Sequence, residues 1–344
     1  MENEDKYSSM QNAVIKARET NQCVNLSAEL TPMCNFNCPM CYIKQRTQPD
    51  NILNTEDWIP VLNEAIAAGV KYVLLTGGEV LAYKGFYDIA KFLCSKGVDV
   101  RIKTNGYFID RTFLDFIDKN YIYMCDISIY GFDRESYLQN TGIDCFDIIR
   151  QNIYDLIHSG KTKVRLMLTN SKNNTDSAAL LMRFVKQFGC DVIVNETPLF
   201  PPRQELDRQY ETFFVGYSDT MKFKEVYCEE FSAEFSCKKR DTNIVIPCRG
   251  LSCSAGRSSC AIHWDGTVAP CLNYPYNKDN HVRAGFVEAF STLQNVVSTY
   301  SRPQQCFECA VRDICNYCPA YSDSSQQPYS IFCDFWRAAD EIEV

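Results

Sequence analysis

Short apolar runs alternate with segments of helical periodicity through the first two thirds of the chain. The runs predict six strands, at 23–30, 71–76, 98–104, 123–130, 163–169 and 190–196. Between the first two runs, apolar residues from Trp58 to Ile66 recur at helical spacing behind a capping Asn54. Repeated βα units are typical of a parallel sheet. We therefore predict an α/β fold built on a partial (β/α)6 barrel, like an incomplete TIM barrel.

Composition narrows the classes of function. The chain has 344 residues, 46% of them hydrophobic, which is enough to bury a large core. Lys and Arg total 35 against 43 Asp and Glu, and this net charge of -8 argues against a broad nucleic-acid surface. The acidic, polar N-terminus lacks the apolar core of a signal peptide, and no run of about 18 apolar residues follows. We expect a cytoplasmic location, with neither nucleic acid nor membrane as partner.

Nineteen cysteines are the unusual feature of the composition. Dense Cys usage without an export signal favours metal binding or catalysis over disulfides, because cytoplasmic thiols are kept reduced. Three lie between 34 and 41 and eight between 253 and 333, while the others are scattered. Most of the scattered ones are expected to be small buried apolar residues.

Candidate site residues follow the predicted strands at the ends that meet on one rim of a barrel. In strand order they are Cys34, Cys38 and Cys41; Gly77, Gly78 and Glu79; Thr104 and Asn105; and Ser128. The C-x3-C-x2-C spacing supplies three thiolates, so a four-iron cube bound there keeps one iron open to another ligand. Zinc with a distant fourth ligand is the alternative for these cysteines alone.

The C-x3-C-x2-C motif, followed one βα unit later by GGE, resembles the radical SAM enzyme superfamily. The resemblance implies a [4Fe-4S] cluster whose open iron binds S-adenosylmethionine, and a 5'-deoxyadenosyl radical that removes a hydrogen atom from the substrate. It places the Gly77 to Glu79 segment at the methionine amino group, Thr104 and Asn105 at the cofactor, and Ser128 at its carboxylate or ribose. Met40 and Val80 depart from the usual aromatic and Pro, and neither departure removes a ligand.

The C-terminal region has the spacing C-x2-C-x5-C-x2-C from Cys306 to Cys318, preceded by Cys253, Gly266 and Cys271 and followed by Cys333. This pattern resembles a SPASM domain, the extension that carries two auxiliary [4Fe-4S] clusters in many radical SAM enzymes. The resemblance assigns Cys253, Cys260, Cys271 and Cys318 to one cluster, and Cys306, Cys309, Cys315 and Cys333 to the other. Cys248 is the alternative to Cys260. Cys315 and Cys318 are separated by two residues where three are usual. A pair of zinc knuckles remains the alternative for these cysteines.

Together the two resemblances divide the chain into four segments. We expect an N-terminal extension at 1–22, the barrel core at 23–205, a bridge at 206–247, and a smaller Cys-rich, iron-sulfur-binding domain at 248–344.

Members with this extension mostly act on peptides or proteins, so we predict a peptide maturase that forms a cross-link, thioether or epimer. The expected partners are a peptide or protein substrate and an electron donor such as flavodoxin or ferredoxin. Epimerisation needs a thiol that returns a hydrogen atom, for which Cys228, Cys237 and Cys248 are candidates. The alternatives are a formylglycine-generating enzyme like the anaerobic sulfatase maturases, and an iron-sulfur electron carrier or non-catalytic peptide-binding partner.

Overall fold

The architecture comes from a computed structural model of the chain. It describes residues 2–43, 49, 51–194, 200–201, 203, 211–231, 251, 253–274, 279–312, 315, 317–322 and 327–342.

All six predicted strands are present, each shortened by one or more residues. They are β1 (Asn25–Glu29), β2 (Tyr72–Thr76), β3 (Asp99–Thr104), β4 (Met124–Ile129), β5 (Lys163–Leu168) and β6 (Asp191–Val194). Two further strands follow, β7 (Ser259–Ile262) and β8 (Val268–Ala269). The prediction of an α/β fold is confirmed.

Helices separate the strands as the periodicity predicts. They are α1 (Glu2–Thr20), α2 (Thr55–Ala67), α3 (Phe86–Ser95), α4 (Arg111–Lys119), α5 (Arg134–Thr141), α6 (Phe146–Ser159), α7 (Lys172–Thr175), α8 (Ala178–Lys186), α9 (Tyr217–Phe231), α10 (Phe286–Thr299) and α11 (Ser330–Ile342). Asn54 caps α2 as expected, because its side chain accepts from the Asp57 amide while the Asp57 carboxylate accepts from the Asn54 amide. The described part of the chain has no helix long and apolar enough to cross a membrane.

The strands form one sheet in the order β6-β5-β4-β3-β2-β1-β7-β8. Neighbours from β6 to β7 are parallel, and β8 returns antiparallel to β7. The parallel pairing of β7 with β1 is the feature that the sequence did not predict. It fills the open edge of β1, which would otherwise leave a row of backbone groups unpaired.

The β1–β7 pairing changes how residues 248–344 are understood. We expected them to form a separate domain, yet β7 completes the main sheet, and Phe286 and Leu293 of α10 lie in the main hydrophobic core. Smaller apolar clusters lie around Tyr300 and around Phe332. Structurally, the C-terminal segment is therefore partly an extension of the barrel.

The two faces of the sheet differ in chemistry. On the outer face, residues such as Leu26, Val100 and Leu166 join the core beneath the helices. On the inner face, strand register aligns Lys103 with Asp126 and Asp126 with Arg165. Because side chains alternate between faces along a strand, these charged residues share the inner face with Ser128.

Candidate active site

The loop that leaves β1 carries the first three cysteines to the carboxyl end of the sheet. The Phe36 amide donates to Cys34 Sγ at 3.3 Å, and the Cys41 amide donates to the Cys38 carbonyl at 3.1 Å. The Phe36 ring packs edge-on against Tyr107 and Tyr130. Phe36 thus anchors the loop between two aromatic residues that follow β3 and β4.

Burial raises the pKa values of the Cys34 and Cys38 thiols. It raises the pKa of Cys34 to about 12, and the negative charges of Glu79 and Cys41 add to the rise. The pKa of Cys38 is also well above its usual value, because of burial and then of Cys41 and Cys34. The three cysteines are therefore near enough for their charges to interact. Ionising them together requires a cationic partner, which an iron-sulfur cluster supplies.

Gly77 and Gly78 let β2 approach the cysteine loop. The Gly78 amide donates to Thr31 O at 2.7 Å, and the Glu79 amide donates to Met33 O at 2.8 Å. A Cβ on Gly77 would lie 2.5 Å from Thr31 O, and one on Gly78 would lie 2.3 Å from Met33 O. Both distances are to backbone atoms, so a larger residue would push the loop away. The glycines therefore set the position of the cysteines.

Replacing Gly78 by Ala is expected to displace the loop and lower the bound iron. Overpacking of this kind typically costs about 1–3 kcal/mol in the free energy of unfolding. Urea unfolding of the variant would measure this loss. Gly216→Ala is the control, because a Cβ there has no atom within 4 Å and the residue has no positive φ. Wild-type stability and iron content in Gly78→Ala would contradict the steric role.

Glu79 is fully buried and holds the ends of two strands together. Its carboxylate accepts from Thr104 Oγ1 and the Asn105 amide, both at 2.7 Å, and from the Leu81 amide at 3.0 Å. Burial raises the pKa of Glu79, and these three donors oppose the rise. A carboxylate has about four acceptor positions, and three of those of Glu79 are occupied by donors within the protein. The main role of Glu79 is therefore to position Thr104 and Asn105.

Asn105 connects this network to the cysteines. Its Nδ2 lies 3.7 Å from Cys34 Sγ and 2.8 Å from Asn35 Oδ1. The sequence assigned Asn105 to the cofactor and gave no sign that it donates to a cysteine sulfur. Only the β3–α4 turn, in which Asn105 Oδ1 accepts from the Tyr107 amide, aims its side chain this way.

Ser128 and Tyr130 lie on the neighbouring strand end. Ser128 is 8% exposed on β4, and its side chain interacts with that of Tyr130. Burial raises the pKa of Tyr130 well above its usual value, and the negative charges of Cys38, Cys34 and Cys41 raise it further. The structure thereby brings Ser128, through Tyr130, to the cysteine loop.

A buried ionic cluster lies beside this loop, and the sequence gave little indication of it. Arg203 Nη1 and Nη2 donate to the Glu29 carboxylate at 2.9 and 2.7 Å, and His263 Nδ1 lies 2.6 Å from Glu29 Oε2. Burial raises the pKa of Glu29, but the charge of Arg203 and the contact with His263 outweigh it and the pKa is lowered. Burial and the charge of Arg203 lower the pKa of His263. The cluster is therefore a carboxylate–guanidinium pair with a neutral imidazole.

Arg203 also joins the two cysteine-rich regions. Its amide donates to Tyr42 O at 3.3 Å, next to Cys41, and its Nε donates to Leu272 O at 2.7 Å, next to Cys271. The guanidinium carbon lies 5.0 Å from the centre of the Tyr42 ring. One buried side chain thus ties the first cysteine loop to the C-terminal cysteines.

A second ionic cluster occupies the inner face of β3, β4 and β5. Asp126 accepts from Arg101 Nη2 at 2.6 Å and from Arg165 Nε at 2.7 Å. Lys103 faces the same side, next to Thr104, and burial lowers its pKa, with Asp126 opposing the shift.

The C-terminal cysteines fall into two groups, and within each group the charges of the thiols interact. Cys306, Cys309, Cys315 and Cys333 form one, and Cys253, Cys271 and Cys318 form the other. Within the described ranges, no three or more His, Cys, Asp or Glu are arranged to bind a single metal ion.

Cys260 lies apart from both groups. It is 2% exposed on β7, in the main core, and its Sγ is 3.6 Å from Cys23 Sγ. The structure therefore gives no support to Cys260 as a cluster ligand, because strand pairing directs it to Cys23. Its alternative, Cys248, lies outside the described residues, as does Cys237. Cys228 is buried on α9, which packs against α8 and α11 at the β6 edge of the sheet.

Comparison with known proteins finds sequences that are similar to this chain. Residues 28–185 match the model of the Radical SAM superfamily. A probable GTP 3',8-cyclase of Saccharolobus islandicus is 25% identical over 280 residues, which covers 74% of this chain and 84% of that protein. A probable GTP 3',8-cyclase of Metallosphaera sedula is 27% identical over 169 residues, covering 48% and 53%.

Solved structures extend the likeness of fold beyond the matched domain. SuiB of Streptococcus suis bound to S-adenosylmethionine superposes with a TM-score of 0.66 at 16% identity, covering 91% of this chain and 76% of that chain. SuiB bound to its precursor peptide SuiA gives a TM-score of 0.65 at 17% identity, covering 91% and 77%. The shared fold therefore reaches past residue 185 into the Cys-rich C-terminal region.

Proposed function

We propose that this chain, whose residues 28–185 match the Radical SAM superfamily model, is a radical SAM enzyme that modifies a ribosomally made peptide by hydrogen-atom abstraction. The observation that carries the proposal is the combination, in one chain, of a three-thiol site behind β1 with two further groups of cysteines in the C-terminal region. When bound, a [4Fe-4S] cluster and S-adenosylmethionine supply the 5'-deoxyadenosyl radical that takes the hydrogen atom. The likeness of fold to SuiB, a protein solved with its precursor peptide, supports a peptide as the substrate.

The chain's own residues position this chemistry. Cys34, Cys38 and Cys41 would hold the cluster, and the donors from Phe36 and Asn105 point at the Cys34 sulfur. Thr104 and Asn105 are fixed by Glu79, so the rim next to the cluster is rigid before any ligand binds. Ser128 would reach the carboxylate or ribose of S-adenosylmethionine.

We further propose two auxiliary clusters. Cys306, Cys309, Cys315 and Cys333 would close one cube with four thiolates. Cys253, Cys271 and Cys318 would hold the other, with Cys248 as the fourth ligand in place of Cys260. The electrostatic interaction of Cys318 with Cys271 supports its assignment despite the short spacing from Cys315.

The curated relatives favour a second candidate. Both are probable GTP 3',8-cyclases, so a nucleoside triphosphate is an alternative substrate. The formylglycine-generating and non-catalytic alternatives have no comparable support among these relatives.

The test is anaerobic reconstitution followed by an assay of 5'-deoxyadenosine formed from S-adenosylmethionine and dithionite. Peptides encoded beside the gene, a sulfatase-derived Cys peptide and GTP would be added separately, and each substrate followed by mass spectrometry. About twelve irons per chain and a peptide that loses hydrogen support the proposal. Modification of GTP alone would replace it with the nucleotide alternative, and a fully loaded protein that never cleaves S-adenosylmethionine would indicate a carrier.

Asn105→Ala is expected to lower the reduction potential of the first cluster. The side-chain N–H stabilises the extra negative charge of the reduced form, so its loss makes reduction harder, by a shift on the order of tens of millivolts. Redox titration followed by electron paramagnetic resonance measures the shift. Asn120→Ala is the control, because that side-chain amide donates to Phe116 O at the end of α4. An unchanged potential would show that Asn105 does not tune the cluster.

A further inference from the structure

The ionic cluster on the inner face carries more positive than negative charge. Arg101, Lys103 and Arg165 supply three cations, while Asp126 and Asp99 supply two carboxylates on the same face. Two further charges near this face are already balanced: Lys163 forms an ion pair with Asp191, and Glu29 forms one with Arg203. One positive charge is therefore left over on the part of this face that the structure describes.

Lys103 is the cation available to a ligand. Among the described residues, its ammonium makes no hydrogen bond or ion pair, whereas Arg101 and Arg165 both donate to Asp126. Lys103 remains partly exposed on a strand whose neighbours Ile102 and Thr104 are buried. A charged group that burial pushes towards neutrality gains from an anion placed beside it.

The cluster also lies close to the proposed cofactor site. Thr104, the next residue, donates to Glu79, and Asn105 reaches Cys34 Sγ. Asp126 is two residues before Ser128 on the same face of β4, a step of about 6.6 Å along the strand. An anion bound at Lys103 would therefore sit one layer below the rim on which we place the cofactor.

We propose that Lys103, supported by Arg101 and Arg165, binds a single carboxylate of the substrate peptide and so fixes which part of the peptide faces the cofactor. The inference rests on the proposed peptide function. A single carboxylate matches the one excess positive charge. A triphosphate carries several negative charges and would meet the fixed carboxylate of Asp126, so the charge balance favours the peptide over a nucleotide.

The test measures binding to the reconstituted holoenzyme by isothermal titration calorimetry. The probes are acetyl-Gly-Gly-Glu-Gly-Gly-amide, its Gln counterpart as the amide, the same Gln peptide as a free C-terminal acid, and GTP. The two carboxylate peptides distinguish a side-chain from a C-terminal source. We expect at least one of them to bind about tenfold more tightly than the neutral Gln amide.

Variants assign this preference to Lys103. Lys103→Gln should reduce the carboxylate preference to about one, and Lys103→Arg should keep most of it. Lys161→Gln is the matched control, because Lys161 pairs with Asp118 on the surface and should leave the preference unchanged. Iron content and thermal unfolding of each variant report whether it folds. If Lys103→Gln does not fold, the comparison of peptides on the wild type and on Lys103→Arg still tests the proposal.

Three results would overturn the proposal. They are equal binding of neutral and carboxylate peptides to the wild type, a preference that survives in Lys103→Gln, and tighter Lys103-dependent binding of GTP than of either carboxylate peptide. Formation of 5'-deoxyadenosine is assayed in the same samples. A protein that binds carboxylates but does not cleave S-adenosylmethionine would refute the enzyme function alone, and one that cleaves it without any carboxylate preference would refute the carboxylate site alone.

Discussion

Alanine at any one of Cys34, Cys38 or Cys41 is expected to abolish 5'-deoxyadenosine formation. Each thiol would supply one of only three protein ligands, so no remaining set can hold a cluster with its open iron in place. The assay uses anaerobically reconstituted protein, S-adenosylmethionine and dithionite, with product measured by chromatography. Iron should fall by about four atoms per chain, while iron at the C-terminal cysteines is retained.

Cys94→Ala is the matched control for these three variants. Cys94 is partly buried and donates to Tyr121 O, at the opposite end of β3 from Asn105. Full activity in Cys94→Ala would assign the loss to the three-thiol site and not to general damage from removing a cysteine. Substantial deoxyadenosine formation by Cys34→Ala, Cys38→Ala or Cys41→Ala would refute the assignment of that residue.

Glu29→Gln is expected to have the largest effect on folding stability. It leaves the Arg203 guanidinium buried without its carboxylate, and breaking a buried ion pair from one side costs about 3–5 kcal/mol. Because the Arg203 side chain also donates to Leu272 O and its backbone amide donates to Tyr42 O, both cysteine regions should loosen together. Urea unfolding of the protein measures the first effect, and iron retention during dialysis measures the second.

The pH dependence gives an independent check on Glu29. Its pKa is lowered in the folded protein, so its contribution to stability is present above the unfolded value of about 4.3 and is lost as the pH falls through the folded value. Glu29→Gln should therefore flatten the acid limb of the stability curve as well as lower its plateau.

Asp115→Asn is the surface control for the Glu29 variant. Arg111 and Asp115 form an exposed ion pair one helical turn apart, which is worth only about 0–1 kcal/mol. Equal losses of stability in Asp115→Asn and Glu29→Gln would contradict the special role of burial.

Much of the barrel and its rim was predictable from local pattern. The six strands follow from short apolar runs, because the face of each strand that packs beneath the helices needs hydrophobic residues at alternate positions. Cys34, Gly78 and Glu79 follow from spacing, since a three-thiol motif and a Gly-Gly-Glu turn sit directly after two of those strands. The topology of a parallel sheet then brings strand ends together whatever the intervening helices contain.

The C-terminal half was less predictable, because its organisation depends on contacts far apart in sequence. Cys260 has the same sequence signal as the other C-terminal cysteines, yet the pairing of β7 with β1 buries it against Cys23, 237 residues away. Strand β7 pairs with β1 because the edge of β1 is otherwise unfilled. The four residues of β7, SCAI, contain no local pattern that predicts this partner.

The sequence by itself determined the strand order along the chain, the three cysteines behind β1 and the likeness to a radical SAM domain, because each rests on residues a few positions apart. Only the tertiary structure decided that Arg203 joins Glu29 to the carbonyl beside Cys271, that Asn105 points at Cys34, and that Lys103, Asp126 and Arg165 share one face. These contacts cross 23 to 174 positions in sequence or depend on strand register. Register is fixed by packing of the whole sheet, so no local stretch encodes it.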